Sequence, residues 1–132
     1  MPGLSDQELA NYLDELMRAT EGGLISWNRA NPTTFAWTKR EPPGAQLALQ
    51  EIQRKQTEIV GNARVMKTVL SYILQVFELE QETRTLTLRE EIDGSNSEIL
   101  NEKLRVLFDL VRREKAQKDL EFLRGTLPQH KL

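Results

Sequence analysis

One histidine and two acidic clusters are the residues whose chemistry suggests catalysis or metal binding. His130, the only histidine, comes two residues after Pro128 near the end of the chain, where order is usually poor. A general base must instead be held within hydrogen-bonding distance of its substrate. The clusters are Glu78, Glu80 and Glu82, and Glu90, Glu91 and Asp93. Alternate glutamates of a strand share one solvated face, and the second cluster lacks the spacing of a calcium loop. We therefore predict no catalytic residue, no metal and no other cofactor.

A basic run on the predicted C-terminal helix is the candidate for contact with phosphate groups. The run comprises Arg105, Arg112, Arg113 and Lys118. Acidic residues interleave with it, and Asp109 precedes Arg113 by four residues, the spacing of an ordinary helical ion pair. This pattern favours a solvated helix face, and binding of nucleic acid by these four side chains is the alternative.

Composition limits the class of protein. The chain has 132 residues, with 18 Lys and Arg against 20 Asp and Glu, so its net charge is -2. This size predicts a single domain over residues 1–132, and the charge is far from that of a dedicated nucleic-acid binder. The absence of cysteine excludes thiolate metal sites and a cysteine nucleophile. With no signal peptide and no apolar span at the chain's start or within it, we expect a cytoplasmic protein without membrane contact.

A β-hairpin is predicted over residues 24–39, where short alternating segments flank a turn-rich Asn-Pro loop. It carries Trp27, Phe35 and Trp37. Exposed tryptophan is common at the centres of protein interfaces, so these rings form a candidate interaction surface. Burial in the core is the more ordinary fate of such rings and stays open.

Two helical regions flank the rest of the chain. Ser5 and Glu8 have the spacing of a capping box at the start of a helix over residues 5–21. Ser95 and Glu98 repeat that spacing before C-terminal helices over residues 97–127. The apolar stripe of this second region changes phase near Lys115, which predicts either a break in the helix or a change in the face that is covered.

The mixed middle, residues 45–92, supports two interpretations. Residues 72–79 and 84–89 alternate like paired strands, whereas the apolar residues of 45–79 also recur at helical spacing. A helix over residues 58–70 would present Val65, Met66 and Val69 to a second copy. We favour an α+β fold, in which an antiparallel β-meander packs against the N-terminal and C-terminal helices. A mostly α-helical bundle with a β-hairpin is the alternative.

Three stretches resemble a family of small bacterial domains that accompany the effectors of conflict (antiviral defence) and signalling systems. They run from Leu13 to Trp27, from Tyr72 to Leu88 and from Leu104 to Arg113. The resemblance implies an α+β fold and association with other proteins, and it transfers no catalytic residue. Residues 50–71 depart from the family pattern.

We therefore expect a non-enzymatic protein–protein interaction or assembly module, self-associating or docked on a protein partner, in a bacterial defence or signalling system. A nucleic-acid-associated accessory protein is the alternative function. If the chain is such an interaction module, we expect Trp37→Ala to weaken association more than it destabilises the fold.

Overall fold

The chain forms a five-stranded antiparallel sheet and two helices. The computed structural model describes residues 3–128. Its elements are α1 (Asp6–Glu21), β1 (Asn28–Asn31), β2 (Thr34–Lys39), β3 (Gly44–Val60), β4 (Ala63–Glu80), β5 (Thr85–Asp93) and α2 (Glu98–Thr126), and a 3-10 turn (Gly94–Asn96) precedes α2. The strands lie in the sheet in chain order. The predicted α+β meander is confirmed, and the mostly helical alternative is wrong.

Both helices cover the same face of the sheet, which we call the inner face. Phe35, Leu49 and Leu74 lie side by side in register on β2, β3 and β4, and each is at most 1% exposed. Leu13 of α1 and Leu104 of α2 are fully buried in the same cluster. The core therefore lies between the inner face and the two helices.

Helix α1 begins at the predicted capping box. The Glu8 amide donates to the Ser5 side chain, and the Glu8 carboxylate accepts from the Ser5 amide. At the other end, Trp27 Nε1 donates to Thr20 Oγ1 at 3.0 Å, and that hydroxyl donates to the Leu16 carbonyl at 2.8 Å. These bonds fix the indole of Trp27 against the last turn of α1.

Helix α2 is one continuous helix of 29 residues. No glycine or proline lies between Glu98 and Arg124, so nothing in the sequence breaks it at Lys115. Its last fully buried residue is Val111. The phase of the apolar stripe changes after that point because the second half of the helix leaves the core, and Leu120 and Leu123 there are 41% and 59% exposed.

The middle of the chain forms one long hairpin of β3 and β4. These strands pair from Gly44 with Leu79 to Val60 with Ala63. The alternative interpretation of residues 58–70 as a helix is wrong, because β-branched residues favour extended backbone and Gly61-Asn62 forms a two-residue hairpin turn. Gly61 has a φ of 63°, which glycine adopts without steric cost.

The distal part of this hairpin extends beyond the other strands. Strand β2 pairs with β3 only as far as Gln50, and β5 pairs with β4 only as far as Ile73. We call residues 53–70 the arm. Every arm residue except the half-buried Val69 is exposed. At about 3.3 Å per residue, the eight residues of each arm strand span about 26 Å.

One side chain occupies the edge of β4 where β5 ends. The amide of Asn101, on α2, accepts from the Tyr72 backbone N–H at 3.0 Å and donates to the Leu70 carbonyl at 3.4 Å. Asn101 thus binds β4 as the next residue of a neighbouring strand would. Gly94 leaves the space for it, because a Cβ on Gly94 would lie 2.1 Å from Asn101 Oδ1.

Candidate interaction surface

The sheet face opposite the helices, which we call the outer face, has no covering element among residues 3–128. The apolar residues that project from it are Ala36, Ala48, Ile52, Ile73, Phe77, Leu79, Leu86 and Leu88. Leu86 and Leu88 are 42% and 47% exposed, and the other six are half-buried by neighbouring side chains. Large contiguous apolar patches on soluble proteins usually mark interaction sites. This face is the candidate interaction surface.

A β-bulge in β5 places two of these leucines on the outer face. Val76 pairs with Glu90, whereas the next residue, Phe77, pairs with Leu88, so Arg89 is the extra residue. Because a bulge inserts one extra residue, the side chains beyond it point to the opposite face from the one that uninterrupted alternation would give. Ile92 therefore lies on the inner face, while Leu86 and Leu88 project outward. The Arg89 side chain forms an ion pair with Glu78.

A concavity of about 600 Å³ lies at the end of the outer face remote from the arm. The residues that line it are Thr38, Arg40, Gln46, Leu79, Gln81, Arg84 and Leu86. Its strand residues project from the outer face, and its two arginines come from the β2–β3 and β4–β5 loops. Arg84 has a φ of 55°, an uncommon conformation for a residue other than glycine. The concavity offers guanidinium and amide donors, which suit a carboxylate of a docked chain.

A buried tyrosine joins the base of the arm to the core. The Tyr72 hydroxyl donates to Glu51 Oε2 at 3.0 Å across the β3–β4 pair, and its ring lies 5.4 Å from that of Phe108. Burial and, after it, the hydrogen bond to Glu51 raise the pKa of Tyr72 to about 12. The phenol is therefore neutral throughout the physiological pH range.

This raised pKa predicts a loss of stability in alkali. Because the folded-state pKa of Tyr72 exceeds the ordinary value of 10.0, its contribution is complete below pH 10 and is lost as the pH rises toward 12. Between pH 9 and pH 11 we expect the wild type to lose about 1 kcal/mol of unfolding free energy relative to Tyr72→Phe. Urea unfolding of both proteins at the two pH values measures this. A difference in unfolding free energy between the two proteins that is the same at both pH values would contradict this expectation.

The aromatic residues of the predicted surface lie on the inner side. Trp27 and Phe35 are 5% and 1% exposed, and Trp37 is half-buried against the core. The prediction that Trp27 and Phe35 form an interaction surface is therefore corrected: α1 and α2 together cover these rings. Trp37 projects from the inner face, opposite Leu47, so it does not contribute to the outer face.

The apolar residues predicted to meet a second copy lie on the arm. Val65 and Met66 are 45% and 62% exposed, and Val69 is half-buried. By register, Val65 and Val69 share the side of the outer face, and Met66 projects from the opposite side. The three side chains thus do not form one stripe, because alternate residues of a strand point to opposite faces.

Most of the predicted basic run is engaged within the chain. Arg105 pairs with Glu102 and Asp109, and Arg112 pairs with Asp109 at 3.1 Å. The contact with Glu102 raises the pKa of Arg105 and lowers that of Glu102. Lys118 Nζ donates to Ser26 Oγ at 3.0 Å, and Arg113 is exposed. The ion pairs of Arg105 and Arg112 reduce the charge that the helix offers to phosphate, whereas Arg113 and Lys118 pair with no carboxylate among residues 3–128.

The remaining candidate residues are dispersed. Glu91 accepts a hydrogen bond from Gln75, and Asp93 caps the 3-10 turn. Within residues 3–128, no three His, Cys, Asp or Glu side chains are grouped as metal ligands. None of the helices there is long and apolar enough to span a membrane. His130 lies outside the described residues.

Sequence reasoning missed the outer face itself. Its members come from four strands, and Ala36, Ala48 and Ile73 have no exceptional spacing in the sequence. The useful signal was the apolar content of both faces of β4, where Leu74 and Val76 alternate with Ile73 and Phe77. A strand with apolar residues on both faces is typical of a sheet that is covered on both sides.

Comparison of the chain with protein-family models, with curated proteins and with solved structures found no match.

Proposed function

We propose that this protein is a non-enzymatic assembly module that binds a second copy of itself through the outer face. The single observation that carries the proposal is the uncovered apolar sheet face. In such a dimer the two outer faces stack as the sheets of a β-sandwich do, about 10 Å apart. The two copies are related by a twofold axis, so one self-complementary surface is sufficient.

The extent of the face supports a dimer. Five strands about 4.8 Å apart, with about seven residues each at about 3.3 Å, give a projected area of about 500 Å² without the arm. The accessible area of the side chains on this face exceeds its projection. A stable interface buries about 600–1,000 Å² per partner, so two fully stacked outer faces lie near the lower end of this range.

Charge also favours a second copy as the partner. The outer-face residues of the three central strands outside the arm are Thr34, Ala36 and Thr38 of β2, Gly44, Gln46, Ala48, Gln50 and Ile52 of β3, and Ser71, Ile73, Gln75, Phe77 and Leu79 of β4. None carries a charge, so stacking two copies brings no like charges together at the centre. A charged partner surface would find no opposite charge there, whereas the apolar residues of an identical face would be buried against one another.

We further propose that this module is an accessory part of a larger assembly. The resemblance to small bacterial domains of defence and signalling systems supports an accessory role, in which dimerisation of this module brings effector components together. The two arginines of the outer-face concavity would then meet carboxylates at the edge of the interface.

A charge among the exposed leucines that β5 contributes to the outer face tests the dimer. We expect the wild-type chain to elute at twice its 15.2 kDa mass in size-exclusion chromatography with light scattering. Leu88→Glu would bury an unpaired carboxylate at the interface, so the dissociation constant should rise about 100-fold or more. Because Leu88 is 47% exposed in the single chain, the melting temperature of the variant monomer should change little.

Ile99→Glu is the matched control for this variant. Ile99 lies on α2 and is 68% exposed, away from the outer face, so this variant should remain dimeric. The dimer should persist at high salt, since the outer-face residues of its three central strands carry no charge. A wild-type chain that is monomeric at every concentration, or equal dissociation of both variants, would overturn the proposal.

A further inference from the structure

We infer that the arm binds double-stranded DNA as a two-stranded ribbon inserted in the major groove. The inference goes beyond the proposed dimer and does not depend on it, because the arm lies outside the area counted for the outer face. It rests on the distribution of charge in the arm, on the lack of partners for those charges, and on the shape of the arm.

The arm is basic although the chain as a whole is acidic. It carries Arg54, Lys55, Arg64 and Lys67 against the single carboxylate of Glu58. Its formal charge is thus +3, which leaves -5 on the rest of the chain, since the net charge is -2. The local field at the arm therefore attracts polyanions, which the near-neutral whole-chain charge conceals.

The four cations of the arm are unengaged among residues 3–128. None forms an ion pair or donates a side-chain hydrogen bond there. Arg105 and Arg112 of α2, by contrast, are paired with carboxylates. Phosphate contacts made by the arm would displace water and counterions only, whereas contacts made by Arg105 or Arg112 would first have to break an ion pair.

The cations project from both faces of the ribbon. Arg54 and Lys67 share the side of the outer face, and Lys55 and Arg64 project from the opposite side, as the register shows. A protein surface docked on the arm would meet one of these faces and leave the other pair unused. In a DNA groove the phosphate backbones run along the two edges of the ribbon, where the long side chains of both pairs can reach them. This arrangement favours a groove as the binding site.

The dimensions of the arm and its uncharged side chains also fit a groove. The major groove is about 12 Å wide and admits a two-stranded β-ribbon. Gln53, Gln56, Thr57 and Thr68 are exposed on the arm. Amide and hydroxyl groups of this kind bind base edges and phosphates. The major groove of an RNA duplex is too narrow for such a ribbon, which points to DNA as the ligand.

Salt-dependent binding of DNA to the full chain tests the inference. The probe is a fluorescent DNA duplex of about two helical turns, titrated at several salt concentrations and followed by anisotropy. Four phosphate contacts predict that the logarithm of the binding constant falls with the logarithm of salt concentration with a slope of about -3.6. Single-stranded DNA of the same sequence should bind more weakly, since it has no groove.

Paired substitutions separate the arm from α2. Lys55→Gln with Arg64→Gln should reduce the slope to about -1.8 and weaken binding at low salt by at least about tenfold. Lys118→Gln with Arg113→Gln removes the same two residue types from α2 and should change neither value. Circular dichroism should show that both double variants are folded, since all four side chains are exposed.

Three outcomes would overturn the inference. These are no binding of the duplex at low salt, equal loss of binding in the two double variants, and equal affinity for single-stranded and duplex DNA. The monomeric Leu88→Glu variant should bind DNA with an unchanged slope per chain, so failure of the dimer and failure of DNA binding are observed separately.

Discussion

Replacement of Phe108 by alanine should lower the free energy of unfolding by about 3–5 kcal/mol, the largest loss among single substitutions that we propose. Phe108 is 3% exposed. Its ring lies 5.3 Å from the ring of Phe35 in an edge-on arrangement and 5.4 Å from that of Tyr72. This one side chain therefore ties α2 to both β2 and β4, and its removal leaves a cavity between the helix and the sheet.

Phe122→Ala is the control for this measurement, since it is the same substitution on the same helix. Phe122 is 72% exposed, so the loss should stay within about 0.5 kcal/mol. For a chain of this size, the melting temperature of Phe108→Ala should fall by about 10–20 °C. Urea unfolding and thermal scans measure both variants. Similar stabilities for the two would show that α2 does not pack on the sheet through Phe108.

We expect Asn101→Ala to destabilise the fold by about 2 kcal/mol. The substitution leaves the Tyr72 N–H and the Leu70 carbonyl without their side-chain partner, and an unpaired backbone group that is shielded from water costs about 1–3 kcal/mol. Asn11→Ala removes an exposed amide of α1 whose oxygen accepts a hydrogen bond from the exposed Gln7 side chain, and it should be nearly neutral. A comparable effect of the two substitutions in urea unfolding would contradict the role of Asn101 at the strand edge.

Gly94→Ala tests the same contact from the other side. The added Cβ would lie 2.1 Å from Asn101 Oδ1 and 2.9 Å from Asn101 Cα, so backbone must move as well as the side chain. The variant should be destabilised at least as much as Asn101→Ala. The double variant should lose less than the sum of the two, because both substitutions disturb one contact. Strict additivity in urea unfolding would contradict this coupling.

Local signals in the sequence predicted the ends of the fold. The spacing of Ser5 and Glu8 placed the start of α1, and Ser97, two residues after the predicted Ser95, caps α2. The alternation of residues 84–89 predicted β5 and its pairing with β4. The predictions for α1 and β5 succeeded because caps and strand alternation depend on residues close together in the chain. The capping box predicted at Ser95 and Glu98 is wrong, since Ser95 lies in the 3-10 turn and Ser97 caps the helix.

The middle of the chain was ambiguous because two periodicities coincide there. Apolar residues recur at helical spacing through residues 45–79, while many of the same residues are β-branched. The turn at Gly61-Asn62 favours the hairpin, and the sheet then stabilises its base through Leu49 and Leu74. No local signal marks Arg89 as the bulged residue, so the orientation of Leu86 and Leu88 depends on tertiary structure.

The tip of the arm, where Val60 pairs with Ala63, can change in sequence more freely than the core. Because arm strands pair only with each other, substitutions there are not constrained by the packing of the core, whereas Tyr72 and Glu51 at the base are. The tip can therefore accumulate changes of charge and length between related proteins while the body stays the same. Under the proposed binding of DNA, such variation would alter the affinity of the arm without requiring a new fold.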